Sequence, residues 1–186
     1  MSLEELLNNT NIVMTINQNM DTLLCYIPEI EGMIGFDQKH PHHHYDLWNH
    51  TLLALYIAEE NGFLDYDVRL ALLLHDIGKP YVYKNYNNKG KKYSNLAEES
   101  ARIAKFILKR LGFDSTLVNR VAYLINNYDK RINNNLIFSD IEVANKLLKV
   151  QYCNALAHNS NFYEKKKPYL YTVKQKIKSE ETRLYY

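Results

Sequence analysis

Residues 69–80, RLALLLHDIGKP, form an apolar run that ends in two adjacent polar side chains, His75 and Asp76. Helical spacing puts Val68, Ala71, Leu72 and His75 on one face. Upstream, in HYDLWNHTLLALYIAEE (44–60), Leu47, His50, Ala54 and Ile57 share a second apolar face. Neither helix needs these polar groups in order to fold, and burying an unpartnered polar group is costly. A divalent ion bound through nitrogen and oxygen satisfies two imidazoles and a carboxylate together. His75 and Asp76 project roughly 100° apart on a helix, so they share one ion only beside the helix end. Gly78 and Pro80 read as the stop that places them there. The competing reading is a hydrogen-bonded core histidine next to a helix-end aspartate.

The rest of the chain reads as helical. Residues 2–9 give a short helix with an acidic start, and 21–35 a second segment interrupted around Pro28 and Gly32. The histidine helices are expected at 45–61, ending at Gly62, and at 66–77. NLAEESARIAKFILKRLG carries Asn95 as N-cap with Glu98 three residues on, an apolar face through Leu96, Ser100, Ile103 and Ile107, and Gly112 as its stop. Asp114 caps the next helix, in which Leu117, Val121, Leu124 and Tyr128 share a face. Ser139 and Glu142 form a capping-box pattern before IEVANKLLKVQYCNALAHN. The Lys-rich tail over 163–183 reads as a helix with a solvated basic face, its first turn disturbed by Pro168. No strand alternation, internal repeat or dinucleotide-type glycine loop is visible. The expected class is all-α, one compact domain over 1–186 with its core at about 36–160 and a C-terminal Lys-rich helix over 163–186.

Composition enters mainly by exclusion. A chain of 186 residues, 46% hydrophobic and 24% charged, is sized for one domain with a proper core. No apolar run reaches about 18 residues, and MSLEELLNNT is not a signal peptide, so the expected location is cytoplasmic. Cys25 and Cys153 have no CxxC spacing and read as reduced thiols. The net charge of +2 selects no partner.

His50 followed by His75-Asp76 resembles the opening motifs of the HD-domain metal-dependent phosphohydrolases. DQKHPHHHYDLWNHTL, LALLLHDIGKP, AEESARIAKFILKRLGF and NALAHN are similar to the HD domain of bacterial tRNA nucleotidyltransferases and poly(A) polymerases. The likeness spans about 36–160. A Gly-Ser followed by an Asp-x-Asp strand, the mark of a nucleotidyltransferase head, is missing from the sequence, so a stand-alone HD domain is expected.

The resemblance implies a metal site at His50, His75 and Asp76, and it also exposes three departures. The family's late Asp ligand is Asn154 here, in LLKVQYCNALAHN. The two further histidines of two-metal members are replaced by Leu96 and Tyr128. Leu96 has no lone pair, and a tyrosine hydroxyl is protonated near neutral pH. Asn154 keeps a carbonyl oxygen but removes one negative charge. The expected cofactor is therefore one weakly held divalent ion, with Mn, Mg, Ni, Co, Fe and Zn not distinguished. His158, four residues after Asn154, reads as a replacement ligand or as packing beside the site, and Asp129 as a ligand or a solvated helix-end carboxylate.

Two further segments have a functional reading and a bland one. The 80–93 stretch interleaves Lys84, Lys89, Lys91 and Lys92 with four tyrosines, which suits phosphate contact and base stacking or simply a solvated loop. HPHHH (40–44) places His43 where it lines a substrate pocket or sits in a turn around Pro41. Two functions remain open. One is a phosphohydrolase in which Asp76 and Lys79 are catalytic, with His43, Lys91 and Tyr128 on the substrate side. Its substrate would be a phosphomonoester or phosphodiester, from a nucleotide or an RNA terminus. The other is an HD fold without turnover that binds a nucleotide, RNA or protein. Oligomeric state is not legible.

Overall fold

The computed structural model describes residues 1–38, 45–82 and 95–185. Helix α5 (Tyr66–Leu74) is the axis of the fold, because every residue from Asp67 to Leu74 is buried. A helix enclosed on all sides must be surrounded by others. Its neighbours are α1 (Leu3–Asn8), α4 (Leu47–Glu60), α7 (Leu96–Arg110), α8 (Ser115–Asn127) and α10 (Ile141–Leu156). Two of the enclosed residues are charged, and both are satisfied. The Asp67 carboxylate accepts from Lys146 at 2.8 Å and Arg120 at 3.3 Å, tying α5 to α10 and α8. The Arg69 guanidinium donates to the carbonyls of Leu7 at 2.7 Å and Phe63 at 3.0 Å, closing the N-terminal turns onto the axis.

Around this core run α2 (Ile12–Gln18), α3 (Met20–Tyr26), a 3-10 turn (Pro28–Met33), α6 (Lys79–Val82), α9 (Asn134–Ser139) and α11 (Ser160–Tyr185). Among the described residues there are eleven α-helices and no strand, so the all-α expectation holds. The basic tail is part of this assembly: α11 packs along α10 and α9 and buries Leu170, Val173 and Ile177. It begins at Ser160 and continues through Pro168, so the proline lies in the third turn and not the first. Among the described residues no helix is long and apolar enough to cross a membrane.

Local signals held at some helix ends and failed at others. Asp114 caps α8 as expected, accepting from the amides of Thr116 and Leu117. Gly62 and Gly112 both take positive φ, at 64° and 80°, which stops α4 and α7. Asn95 does not cap α7 with its side chain: its φ of 72° is left-handed, and its side chain makes no cap hydrogen bond. The cap of α10 is Asp140, which accepts from Val143, and Ser139 instead ends α9. Glu142 is drawn off to Lys146, at 2.6 Å. Helix α2 was not anticipated, and its N-terminal Asn11 makes no side-chain cap.

Gly78 has a different function from the stop expected of it. A Cβ there would lie 2.8 Å from the Ser100 amide nitrogen and 3.2 Å from the Glu99 carbonyl carbon. The Gly78 amide donates to Ser100 Oγ at 3.1 Å. Only glycine lets the turn after His75-Asp76 press this closely on the first turns of α7. Pro80 then falls in the first turn of the short helix α6, a new element that begins at Lys79.

Candidate metal centre

The bottom of the site is the meeting of α4 with the end of α5. His50 lies within α4, one turn past its Asp46 cap, and His75 is the C-cap of α5. Both imidazoles are buried, at 1% and 0% exposure, and their centroids are 5.5 Å apart. That is well inside one helix diameter (~10 Å), so α4 and the end of α5 bring both rings to one spot.

Each ring is oriented by a backbone carbonyl. His75 Nδ1 lies 2.7 Å from the Leu72 oxygen, and His50 Nδ1 lies 3.1 Å from the Ala157 oxygen. A carbonyl can only accept, so an imidazole that donates through Nδ1 carries its lone pair on Nε2, the form that an ion would take up. At His50 the Asn154 amide oxygen, 3.2 Å from Nε2, is a second acceptor competing for that proton. The two Nε2 atoms then face each other at 3.4 Å. Burial, followed by the neighbouring His75, pushes His50 down to about 3, which keeps that lone pair available at neutral pH. Two lone pairs pointed at one spot call for a shared electrophile. One donor atom from each of His50, His75 and Asp76 lies within 4.8 Å of the others. Nitrogen, nitrogen and carboxylate oxygen in that arrangement fit a single divalent ion. The carbonyl fixing each Nδ1 is the usual outer support of a ligating histidine.

Asp76 is the charged member of the set. Burial alone raises its carboxyl, but the Lys79 ammonium, the two histidines and a hydrogen bond from Tyr128 outweigh this and hold it well below the usual carboxylate range. Both oxygens have partners. The Tyr128 hydroxyl donates to Oδ1 at 2.9 Å, and Lys79 Nζ donates to Oδ2 at 3.2 Å. His75 Nε2 stands 3.7 Å from Oδ2, too far for a hydrogen bond. Lys79 is itself buried, and its ammonium also donates to Gln38 Oε1.

Asn154 enters from α10, with its Oδ1 3.2 Å from His50 Nε2, so it is at the edge of the donor set. Tyr128 is the C-cap of α8, with its ring edge-on to His75 at 5.3 Å. Burial and the Asp76 charge push its hydroxyl well above the ordinary tyrosine value, so it acts as a donor and not as an anionic ligand. Leu96 is buried and offers no donor atom. His158 does not join the cluster. It donates through Nδ1 to the Asn154 carbonyl at 2.7 Å, meets His50 edge-on at 4.9 Å and stacks on Phe162 at 4.2 Å. Asp129 is exposed. His43 and Lys91 lie outside the described residues.

Sequence reasoning passed over three features here. Gln38, 1% exposed, accepts from Lys79 and donates to the Tyr45 carbonyl at 3.1 Å. It sits inside the DQKHP motif but carries no signal of its own. The Ala157 carbonyl has none either, being backbone. Lys130, Arg131, Lys165 and Lys166 border a cavity beside the centre, while in sequence they read as ordinary solvated charges.

An all-α fold whose helices converge two histidines and an aspartate of an HD doublet defines a class, and sequence comparison agrees: residues 47–178 match the HD domain, and the chain belongs to that family. Among its relatives, the CC-adding tRNA nucleotidyltransferase of Thermus thermophilus is 34% identical over 120 residues, covering 62% of this chain. The match covers 27% of that protein, so the chain corresponds to about a quarter of the relative's length.

Proposed function

We propose that this HD domain is a metal-dependent phosphohydrolase that acts on a phosphomonoester or phosphodiester of a nucleotide or RNA terminus, in the cytoplasm. The observation carrying this reading is the convergence of His50 Nε2, His75 Nε2 and an Asp76 oxygen within 4.8 Å, each imidazole fixed from behind by a carbonyl. A divalent ion held there supplies Lewis-acid polarisation of a phosphoryl oxygen. His50 and His75 present nitrogen lone pairs, Asp76 presents an oxygen, and Asn154 Oδ1 borders the fourth side. Asp76 also orients the attacking water, and Tyr128 fixes its carboxylate plane. Lys79, whose ammonium lies 3.2 Å from Asp76, would steady charge developing on the phosphoryl group. His43 and Lys91 belong to the substrate side of this reading.

One observation favours a second reading, a binding module without turnover. The Asp76 charge is already balanced by the Lys79 ammonium, and Asn154 brings no further charge. Chain purified without a histidine tag separates the two. Metal content is measured by plasma emission, and hydrolysis of bis(p-nitrophenyl) phosphate and p-nitrophenyl phosphate is followed with added Mn, Mg, Co or Ni. Metal-stimulated turnover that His75→Ala abolishes is the expected result. A protein that takes up no ion and hydrolyses neither ester is the binding module.

A further inference from the structure

A cavity of about 260 Å³ adjoins the centre, with Tyr128 and Asn154 forming part of its wall. Four cationic residues, Lys130, Arg131, Lys165 and Lys166, also border it, against one acidic residue, Asp129. Among the described residues none of the four forms an ion pair with a carboxylate, whereas nearby Lys149 and Lys167 do, with Asp65 and Glu164. Positive charge thus exceeds negative charge in a cavity that shares Tyr128 and Asn154 with the metal centre.

The cavity is also held in shape. Gln151 Nε2, from α10, donates to the carbonyl of Lys130 at 2.6 Å and to that of Asn127 at 3.3 Å. The Tyr169 hydroxyl, from α11, donates to Gln151 Oε1 at 3.0 Å and accepts from the Ile132 amide at 2.8 Å. The backbone that carries Lys130 and Arg131 is therefore clamped to two helices before any ligand arrives, which lowers the cost of binding.

The aromatic rings here do not offer a stacking surface. Phe162 is stacked by His158 at 4.2 Å and has Lys166 over it at 5.7 Å, and Arg131 lies over Tyr169 at 5.4 Å. A base gains little from faces already covered. At about 260 Å³ the space also falls short of the roughly 300 Å³ at which pockets for larger ligands begin. Cations and restricted volume suit a phosphate group.

We infer that this cavity holds a second phosphate of the substrate, one that is not hydrolysed, while the reacting phosphate lies at His50, His75 and Asp76. The substrate class is then a nucleotide with two separated phosphates, either a free bisphosphate or a strand end with its neighbouring phosphodiester. The assignment rests on the phosphohydrolase reading for what happens at the centre, but binding in the cavity is measurable without turnover.

Calorimetric titration of the full chain with adenosine 5′-monophosphate, adenosine 3′,5′-bisphosphate and the 5′-phosphorylated dinucleotide pApA tests it, with chromatography afterwards to verify that each ligand is intact. The ligands with two phosphates are expected to bind at least about tenfold more tightly than the monophosphate. The Arg131→Gln/Lys166→Gln double variant should lose that preference, and Lys166→Arg should keep it. Should the double variant fail to fold, Lys130→Gln/Lys165→Gln serves in its place. The stronger of the two ligands identifies a free nucleotide or a strand end as the source. Equal binding of mono- and bisphosphate by the wild type, or a preference that survives in the double variant, overturns the inference. Wild-type turnover of bis(p-nitrophenyl) phosphate, which carries one phosphate, reports separately on the phosphohydrolase reading.

Discussion

The Tyr128 hydroxyl donates a hydrogen bond to Asp76 Oδ1 at 2.9 Å, across 52 residues of sequence. Tyr128, which stands where the resemblance expects a histidine, is therefore bonded to a member of the candidate metal cluster. It takes up one carboxylate oxygen, and Lys79 donates to the other at 3.2 Å. A protonated phenol already engaged as a donor does not stand in for the imidazole nitrogen that the resemblance expects at this place.

Tyr128→Phe removes this donor and leaves a buried carboxylate oxygen without it. Hydrogen bonds to charged groups contribute about 1.5–3 kcal/mol, so metal-free Tyr128→Phe is expected to lose that much stability in urea unfolding. A loss under about 0.5 kcal/mol, the size of an ordinary surface change, would mean that the bond contributes little.

Asn154→Asp adds a negative charge beside His50 Nε2, at the position 3.2 Å away. Charge count tunes ion affinity, so after chelator treatment the variant should bind Mn or Ni at least about tenfold more tightly, about 1.4 kcal/mol. Its melting temperature should rise with added metal more than that of the wild type. Without metal it should be less stable, because the added buried carboxylate faces only the neutral His50 imidazole and, among the described residues, has no cation beside it. Equal or weaker binding in the calorimeter would place residue 154 away from the ion.

Gly78→Ala forces a methyl to 2.8 Å from the Ser100 amide nitrogen. Backbone cannot give way as a flexible side chain does. The expected cost is about 1–3 kcal/mol, read from the urea midpoint, with reduced metal uptake because Asp76 and Lys79 flank the displaced turn. A variant as stable as the wild type would show that α6 and α7 separate freely.

The two thiols should behave differently. Cys25 is exposed, while Cys153 is buried and its thiol is pushed up to about 12 by that burial. Reaction with Ellman's reagent at pH 8 should modify one thiol per chain quickly and the second only on addition of denaturant. Two fast equivalents in buffer would contradict the packing of α10.

The sequence disclosed the parts of this architecture that violate a pattern. His50, His75 and Asp76 interrupt apolar faces, and a polar residue in such a position demands a reason. Tyr128 was visible as site-facing through its helical face with Val121 and Leu124. Its bond to Asp76 was not, because it depends on how α8 docks beside α5. The four cations of the cavity follow no anomaly, since YDKR and EKKK look like any solvated charge run until α8, α10 and α11 bring them together. Gly78 was visible as a glycine that matters, but the reason was hidden. A stop and a close approach leave the same letter in the sequence, and only the distance to Ser100 separates them.

The hydrogen bond from His50 Nδ1 to the Ala157 carbonyl joins groups 107 residues apart, and His50 meets Asn154 across 104. His75 and Asp76 arise from a turn made early in the chain, yet the orientation of His50 waits for the end of α10. During synthesis the first two-thirds of the domain can therefore form helices but not a finished ion site. Contacts of such long range also slow folding, because the intervening loop must be ordered before they yield any stabilisation. Metal capture should thus be a late event in the life of a nascent chain, and an ion present earlier would find only the unoriented histidines.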